Sequence, residues 1–558
     1  MIFDKKKKFI KRARFFSVIL LAFMILVVNT KPSLGVDRSA IPEYMNIGLF
    51  FRSTEKAIVH LGADLGFNVN KIVDGREINL FSIFEDTEIF LRKDAHFIGT
   101  RSTFSEYYGD PEEDLAILTL QGPYHIQIGS GFSNWVDANE FLNTISLTAD
   151  IPFLSYENEW RIYVGLYTTE NSASNRSKVI SSALGLPTSV ILPSAKRVQV
   201  VNNQGNPIFM FDSSSQIHFE PIEDKGEIAL IRVDGRKYRG SITVKRQDGS
   251  DMTVINRVLL EEYLYGVVPR EMPASWPIEA LKAQAVAARG FAVASLGKFA
   301  SLGFNLCSTV NSQVYGGFAA EKETTTRAVD ETKSLLMFHN GKVITPYYHS
   351  NSGGRTEDTE NIWSAIVPYI RGIDDPFSKN VKHSVWSKSL TVTEIENILE
   401  NRNISIGEII DITIGEISRN GRVQSLVITG TKGVEIMLKQ TSRFAFGLRS
   451  SWFSVRNSDS IKKQVKSSAN RETKAISLVG KAVISATGTS TITNKTELSI
   501  FNGVKHTSVD LTPRAYVFDG RGFGHGLGMS QHGANIMAEQ GFTFKEILMH
   551  YYTDIEVK

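Results

Sequence analysis

The chain has 558 residues, of which 42% are hydrophobic and 22% are charged. This length suggests roughly two to four folding units, and the composition excludes a disordered or fibrous protein. The single cysteine, Cys307, excludes an intramolecular disulfide and a multi-cysteine zinc site. We expect Cys307 to pack in a core rather than to act as a nucleophile.

The first 35 residues have the pattern of an export signal. A basic run at 5–14 precedes an apolar stretch at 15–28, which is shorter than the ~20 residues that a membrane-spanning helix needs. Small residues at 33–35 suit a cleavage site. We expect cleavage after Gly35 and an exported protein of the cell wall or extracytoplasmic space. The alternative is an uncleaved segment that anchors the protein to the membrane.

The predicted export signal dominates the charge of the chain. The formal net charge is +3, but residues 1–35 hold eight Lys and Arg against one Asp. Removing that +7 leaves −4 for residues 36–558, which argues against a nucleic-acid partner because such binding depends on neutralised phosphates. It argues equally against simple electrostatic attraction to anionic wall polymers. Wall binding is therefore expected to depend on shape and hydrogen bonds.

Residues 36–120 are predicted to be β-rich, because short apolar stretches alternate with Gly, Asp and Asn turns. Residues 121–195 contain a strand followed by a helix twice. The first strand is expected to end at Gly129 and the second at Gly165, where the backbone must turn sharply. The first helix is predicted to run from near Asn134 to Ile145.

The repeated strand-helix pair resembles a SPOR domain, a small α/β module. The matching positions are Gln127, Gly129, Ala138, Val164, Gly165 and Ala173. The resemblance implies that residues 121–195 bind glycan strands stripped of their peptide stems, with Gln127 as the candidate contact. A generic α/β module is the alternative.

Strands are predicted again from residue 228, and the last of them leads into a helical turn at 261–264. Residues 457–513 are rich in Ser, Thr, Lys and Asn. We interpret them as a surface insertion within one domain that spans residues 196–558.

The most informative stretch, residues 263–289, contains a candidate acid and the start of a long helix. The helix is predicted from Pro277 to Ala300, because Pro277 presets φ and the sequence that follows is rich in alanine. Glu271 is predicted to lie in a loop bracketed by prolines. An apolar neighbour such as Trp276 would raise the pKa of its carboxyl enough to let it donate a proton near neutral pH. A purely structural carboxylate is the alternative.

Three polar residues of this helix are further candidates. Lys282 and Arg289 are seven residues apart and share one face, for which a solvated surface is the alternative. Gln284 lies on another face among small residues. If Gln284 is buried, it must hydrogen-bond, and the segment that carries Glu271 is the expected partner.

Two later stretches are also unusual. Residues 346–356 contain a strand with His349 that runs into a Ser/Asn/Gly turn. Residues 520–528 contain five glycines and precede a helix predicted from about Ser530 to Gln540. Such a loop allows backbone to approach a ligand, and it brings His525 and Gln531 to a helix start.

Together these stretches resemble the SpoIID/LytB family. The motifs are Glu271-Met-Pro followed by Glu-Ala-Leu-Lys-Ala-Gln-Ala-x-Ala-Ala-Arg289, then His349-Ser-x-Ser-Gly-Gly, and finally Gly522-x-Gly-His-Gly-x-Gly-Met-Ser-Gln-x-Gly-Ala534. The resemblance covers about residues 225–558. It implies an α+β fold, in which a mixed, β-rich domain has a long helix after the catalytic loop and stands beside the small α/β SPOR-like module.

The resemblance implies a lytic transglycosylase that acts on peptide-stripped glycan without a cofactor. Glu271 would be the catalytic acid and base. The family motifs imply nine substrate-binding positions: Lys282, Gln284, Arg289, His349, Ser350, Ser352, His525, Ser530 and Gln531. The chain lacks the extra cysteines that bind zinc in some SpoIID proteins. Histidines 349, 525 and 532 are therefore expected to be neutral and hydrogen-bonded rather than metal ligands.

The family also includes proteins described as amidase enhancers, which provide a second hypothesis. In that case the protein would bind glycan strands and stimulate an N-acetylmuramoyl-L-alanine amidase without cutting glycan itself. A structural spore-coat protein or wall adhesin is the third hypothesis.

Overall fold

The computed structural model describes residues 41–100, 103–111, 119–247, 249–457 and 515–558, and six short segments between them: 462–466, 473–477, 482–485, 488–491, 498–501 and 504–509. The predicted export signal lies outside the described residues. Within the described residues, no helix is long and apolar enough to cross a membrane.

The N-terminal half consists mainly of strands. In chain order its elements are β1 (Tyr44–Phe50), β2 (Ile58–Gly62), β3 (Phe67–Val73), β4 (Arg76–Ile83), β5 (Glu88–Lys93), β6 (Phe97–Thr100), β7 (Thr103–Glu106), β8 (Tyr124–Phe132), α1 (Trp135–Thr144), β9 (Pro152–Glu157), β10 (Glu159–Tyr167), α2 (Glu170–Leu184), β11 (Thr188–Ile191), β12 (Arg197–Asn202), β13 (Pro207–Asp212), β14 (Ile217–Pro221), β15 (Ile231–Val233), β16 (Arg236–Tyr238), β17 (Ser241–Lys245) and β18 (Thr253–Leu259).

Helices are more frequent in the C-terminal half. Its elements are α3 (Leu260–Glu271), α4 (Ile278–Ala294), β19 (Leu306–Cys307), α5 (Glu323–Asp330), β20 (Met337–His339), β21 (Lys342–Val343), β22 (Tyr348–His349), α6 (Thr359–Ile362), β23 (Val385–Thr391), α7 (Val392–Glu400), β24 (Ile409–Ile417), β25 (Val423–Gly430), β26 (Val434–Leu438), α8 (Thr441–Ala445), β27 (Phe453–Asn457), β28 (Lys462–Lys466), β29 (Thr473–Ser477), β30 (Ala482–Ser485), β31 (Gly488–Thr491), β32 (Leu498–Phe501), β33 (His506–Val509), β34 (Ala515–Arg521), β35 (Met529–Ser530), α9 (Gln531–Glu539), α10 (Phe544–Tyr551) and β36 (Glu556–Val557).

Two large sheets enclose the first core. One has the strand order β19-β1-β18-β17-β14-β3-β4, and the other has the order β11-β8-β10-β9-β13-β12-β5-β2-β15-β16. The core contains Ile47 and Val254 from the first sheet, Ile89 and Ile126 from the second, and Leu264 from α3. The fold is therefore a mixed α+β fold, as the sequence predicts.

The second sheet crosses both of the domain boundaries suggested by the sequence. Leu91 of β5 pairs with Val200 of β12, and Leu154 of β9 pairs with Phe209 of β13. Hydrogen bonds therefore join residues 36–120, 121–195 and the segment after 196 in one sheet.

Residues 121–195 contain the predicted repeat as β8-α1-β9-β10-α2-β11, the split βαβ arrangement. Asn134 caps α1 by accepting a hydrogen bond from the backbone N of Asp137 (3.0 Å).

The prediction that Gly129 and Gly165 end their strands is wrong. Both lie inside strands with φ of +69° and +80°, where the pairing of β8 with β10 shifts register. A β-bulge uses glycine at such a position.

The second core lies among the C-terminal helices. It contains Ala283 and Val286 of α4, Ala534 and Met537 of α9, and Leu548 of α10. The small side chains of α4 let α9 and α10 pack closely against it. Cys307 is buried beside Phe304 in a smaller cluster, which confirms the core role predicted for it.

The segment predicted as a surface insertion begins and ends at paired strands. Phe453 of β27 pairs with Gly520 of β34, and Asn457 pairs with Tyr516. The strands before and after the segment are therefore antiparallel neighbours in one sheet. Between them, the described segments pair as the hairpins β28–β29, β30–β31 and β32–β33.

The chain around Glu271 differs from the prediction. Only a helical turn at 261–264 and then a loop are predicted, but α3 runs on to Glu271 and contains Pro269 in its last turn. The helical hydrogen bonding continues past the proline, because the backbone N of Met272 donates to the oxygen of Val268 (3.0 Å). The prolines at 269 and 273 suggested a loop, but a proline in the last turn still allows this hydrogen bond.

Candidate active site

Glu271 lines a cavity of about 400 Å³ between the end of α3 and the strand β22. The cavity walls also come from the segment 310–314 and from the glycine-rich loop before α9. They include Phe291, Lys298, Val310, Asn311, Ser312, Gln313, Val314, Pro346, Tyr347, Tyr348, Trp363 and His525. Among these described lining residues, Glu271 has the only carboxyl group.

A chain of side chains fixes the carboxyl of Glu271. The Nε2 atom of Gln531 donates to Oε2 of Glu271 (3.4 Å) and to Oε1 of the fully buried Gln284 (3.3 Å). Gln284 is thus buried and its Oε1 atom accepts a hydrogen bond, as expected for a buried amide, although the partner comes from α9 and not from the segment that carries Glu271. Two consecutive helices, α3 and α4, and the distant α9 therefore meet at Glu271.

Tyr348 and Gln313 support the carboxyl from the other side. The hydroxyl of Tyr348 hydrogen-bonds Glu271, and the Nε2 atom of Gln313 donates to that hydroxyl (2.9 Å). The Oε1 atom of Gln313 in turn accepts from the hydroxyl of Tyr263 (3.2 Å). Neither Tyr348 nor Gln313 was among the residues predicted from the sequence. Tyr348 adjoins the His349 motif, which was the available signal, but Gln313 lies outside every motif.

The pKa of Glu271 lies above its ordinary value. Burial raises it, and hydrogen bonds from Gln531, Val314 and Tyr348 together with the charge of Arg270 lower it only in part. The carboxyl also lies at the C-terminal end of α3, where the helix dipole disfavours negative charge. The site therefore favours a protonated carboxyl of the kind that a general acid needs.

The aromatic walls of the cavity differ from the prediction. Tyr347, Tyr348 and Trp363 line it, whereas Trp276, the predicted wall, lies with its ring 5.1 Å from that of His532. Trp276 was expected because it is close to Glu271 in sequence. The residues that line the cavity come from distant segments.

His349 and His525 lie side by side, with ring centroids 5.5 Å apart. Nδ1 of His349 donates to the oxygen of Leu527 (3.1 Å), whereas Nδ1 of His525 accepts from the N–H of Leu527 (3.0 Å). Burial and the nearby Arg443 and Arg422 lower the pKa of His525 to about 3. Burial likewise lowers the pKa of His349 well below its usual range. Both imidazoles are therefore neutral.

The glycine-rich loop lies close to the protein itself. A side chain at Gly524 would meet Cβ of His349 at 2.7 Å, and one at Gly528 would meet the backbone oxygen of Tyr347 at 2.1 Å. Both glycines also have positive φ. The glycines therefore let the loop pack against β22, whereas the approach of loop backbone to a ligand stays a prediction.

Ser352 and Ser530 belong to a buried network around Asp375. The hydroxyl of Ser352 donates to Oδ2 of Asp375 (2.7 Å), and Ser530 shares a hydrogen bond with Ser378 (2.7 Å). Ser530 also caps α9, since its Oγ accepts from the N of Gly533 (3.3 Å). Both serines are fully buried, so they connect the two motifs rather than face the cavity.

Comparison with known proteins identifies the family. The family described as Stage II sporulation protein, SpoIID, matches residues 248–339, which contain Glu271 and α4. An uncharacterized protein of Brachyspira hyodysenteriae is 30% identical over 326 residues, which cover 58% of this chain and 73% of that protein. The Stage II sporulation protein D of Bacillus amyloliquefaciens is 28% identical over 321 residues, covering 54% and 75%. The chain belongs to the SpoIID family.

A further relative has a different name. The amidase enhancer of Bacillus subtilis is 30% identical over 349 residues, which cover 58% of this chain. They cover only 44% of that protein, so most of the enhancer has no counterpart in the match.

Two residues of the SpoIID motif on α4 do not reach the cavity. Lys282 forms ion pairs with Glu279 (3.0 Å) and Glu331 (2.6 Å). Arg289 is fully buried, and its guanidinium pairs with Glu261 (2.6 Å). The predicted shared face exists, but carboxylates neutralise both charges, that of Arg289 inside the fold and that of Lys282 at a partly exposed position. The expectation that Lys282 and Arg289 contact substrate is therefore not supported by their positions.

The remaining predicted residues occupy other positions. Ser350 is half-buried, and its backbone oxygen accepts from the N of His532 (3.0 Å). Gln127 lies in β8, where its side chain donates to the oxygen of Gly129 (3.1 Å). The ring of His532 lies against Trp276 and against His383 (5.8 Å). Within the described residues, no group of three His, Cys, Asp or Glu side chains has the geometry of a metal site.

The raised pKa of Glu271 predicts a pH-dependent stability. The carboxyl of Glu271 has a higher pKa in the folded protein than in the unfolded chain. The free energy of unfolding is therefore highest at low pH, where the carboxyl is protonated in both states, and it falls as the pH rises through the pKa of the folded protein. Glu271→Gln should therefore raise Tm at about pH 7 and change it little at about pH 4, as measured by thermal unfolding. Glu546→Gln is the control and should lower Tm at about pH 7, because hydrogen bonds from Thr543 lower the pKa of Glu546 and so stabilise its ionised form. A lower Tm for Glu271→Gln at neutral pH would contradict this prediction.

The two basic residues of α4 should differ in their effect on stability. Arg289→Met leaves a largely buried carboxylate unpaired and should lower the free energy of unfolding by about 3–5 kcal/mol. Lys282→Met breaks partly exposed pairs and should cost less than about 1 kcal/mol. Urea unfolding measures both. Equal losses of stability in the two variants would contradict this prediction.

Proposed function

We propose that this protein is a lytic transglycosylase of the cell wall. It would cleave the β-1,4 bond between N-acetylmuramic acid and N-acetylglucosamine in peptide-stripped glycan and form 1,6-anhydro ends. The observation that carries the proposal is the partly buried carboxyl of Glu271, which lines a cavity and has a raised pKa. Membership in the SpoIID family supports a role at the cell wall. We further propose that the protein acts outside the cytoplasmic membrane after export.

The reaction needs one group that gives and takes a proton. Protonated Glu271 would donate its proton to the glycosidic oxygen as the bond to C1 of N-acetylmuramic acid breaks. The resulting carboxylate would then remove the proton from the C6 hydroxyl of the same sugar as that oxygen bonds to C1. Glu271 is protonated again at the end, and no water is consumed.

Glu271 has the one carboxyl group among the described lining residues, which favours this reaction over hydrolysis. Hydrolytic glycosidases generally use two carboxyl groups, one as acid and one as nucleophile or base. Among the described residues that line the cavity, Glu271 has no second carboxyl beside it. A nucleophile supplied by the substrate removes the need for one.

The other motif residues divide by position. Gln531, which contacts Glu271, and His525, which lines the cavity, are the proposed substrate-holding groups. Gln284 would position Gln531, and His349 would position His525. Such positioning matters because small displacements of reacting groups reduce rates strongly.

Glu271→Gln tests the proposal. It should reduce release of 1,6-anhydro products from amidase-treated peptidoglycan by at least about 100-fold, because a positioned general acid contributes on the order of 10²–10⁴. Mass analysis of the soluble products measures this, and binding to the glycan should stay near wild type. Glu416→Gln, at an exposed position in β24, is the matched control and should leave product release unchanged. Undiminished release by Glu271→Gln would refute the catalytic role.

A second function is favoured by the relative named amidase enhancer. In this case the protein would bind glycan strands and stimulate an N-acetylmuramoyl-L-alanine amidase. The rate of a purified amidase, measured with wild-type protein and with Glu271→Gln, separates the two functions. Equal stimulation by both proteins without anhydro products would favour the enhancer. If the protein releases no anhydro product and does not stimulate the amidase, a structural wall protein is the remaining hypothesis.

We also propose that residues 121–195 bind glycan. The helices α1 and α2 pack on one face of this sheet, towards which the core residues Ile126 and Ile128 point. Gln127 lies on the other face, next to Tyr163 of β10. Deleting the whole segment would remove strands that pair with β13, so a point change is the sharper test.

Gln127→Ala should weaken binding to peptide-stripped glycan about fivefold, the effect of about one hydrogen bond. Co-sedimentation with insoluble glycan measures it. Asn175→Ala, at an exposed position in α2, is the control on the helical face. Equal binding by both variants and wild type would mean that this module does not use Gln127.

A further inference from the structure

A larger cavity adjoins the Glu271 site. It has a volume of about 1390 Å³, and Asn311 and Val314 line both cavities. Arg270, which precedes Glu271, also lines the larger one. Small-molecule sites usually measure about 300–1,000 Å³, so a space of this size suits a polymer that extends from the reaction site.

The larger cavity is strongly basic. Among its described lining residues, five side chains are cationic and only Glu55 has a carboxylate, which accepts a hydrogen bond from Thr253. The cations are Arg52, Lys56, Arg236, Lys237 and Arg270. Lys56 pairs with Asp234 (3.2 Å). For the other four, no ion pair occurs within the part of the chain that the structure describes.

This concentration of positive charge contrasts with the rest of the protein. Residues 36–558 have a net charge of −4, so the cations are not part of a generally basic surface. A concave surface lined by one sign of charge concentrates ligands of the opposite sign. The aromatic rings of Phe50, Phe51, Tyr238 and Phe318 also line the cavity and offer apolar surface between the charges.

We propose that this basic cavity binds the lactyl carboxylates of peptide-stripped glycan. The inference rests on the proposed function, since it concerns the strand whose reacting bond would lie at Glu271. In intact peptidoglycan the lactyl carbonyl is joined to the stem peptide by an amide bond. Hydrolysis of that amide by water releases the amine of the peptide and leaves a carboxylate on every N-acetylmuramic acid. An amidase reaction must therefore precede binding, and the cavity would recognise its product by charge.

The test compares two glycans in a background that cannot cleave them. Glu271→Gln protein is incubated with strands from amidase-treated peptidoglycan, and with the same strands after carbodiimide coupling to methylamine, which removes the carboxylates. We expect tighter binding to the carboxylated strands at low salt, with the difference shrinking as salt screens the charges. Adding Arg236→Gln and Lys237→Gln should weaken binding to the carboxylated strands about three- to tenfold, and leave binding to the amidated strands unchanged.

Lys432→Gln with Lys545→Gln is the matched control, because it removes two charges from exposed positions outside both cavities. Equal affinity for the two glycans, or a preference that survives Arg236→Gln with Lys237→Gln, would overturn the inference. Stronger binding to a phosphodiester wall polymer than to carboxylated glycan would overturn it as well. Charge-dependent binding in a wild-type protein that releases no anhydro product would refute the proposed function and leave this inference standing.

Discussion

The site depends on the bridge that Gln531 makes between Glu271 and Gln284. These residues lie on α9, α3 and α4, so one amide group connects three helices around the candidate acid. Gln284 is fully buried, and its Oε1 atom would cost about 1–3 kcal/mol if it were left there without a hydrogen bond. The packing of small side chains between α4 and α9 makes the bridge possible, because larger residues would hold the helices apart.

Two features of the environment of Glu271 both raise the pKa of its carboxyl. Burial in the cavity and the C-terminal end of α3 both disfavour the ionised carboxyl. Hydrogen bonds from Gln531 and Tyr348 oppose them in part and fix the direction of the oxygens. A general acid needs this combination, since it must hold a proton and also point at the bond that breaks.

Charge is distributed unevenly over the molecule. The acidic balance of residues 36–558 led to the expectation that wall binding would depend on shape and hydrogen bonds. The basic cavity beside Glu271 shows that net charge does not describe the surface a ligand meets. Behind the glycine-rich loop, in contrast, the positive charges of Arg422 and Arg443 help to keep His525 neutral.

The sequence by itself determined the family, the mixed α+β class, the repeated strand-helix pair of residues 121–195 and the choice of Glu271 as the candidate acid, because these depend on local periodicity and on ordered motifs. Only the tertiary structure decided which motif residues meet. Lys282, Gln284 and Arg289 belong to one motif, yet only Gln284 faces α9, whereas the charged residues pair with Glu331 and Glu261. Gln313 and Trp363 reach the cavity through contacts between distant segments, which no pattern along the chain encodes. Helix spacing places side chains on a face, but the partners of that face are set by packing.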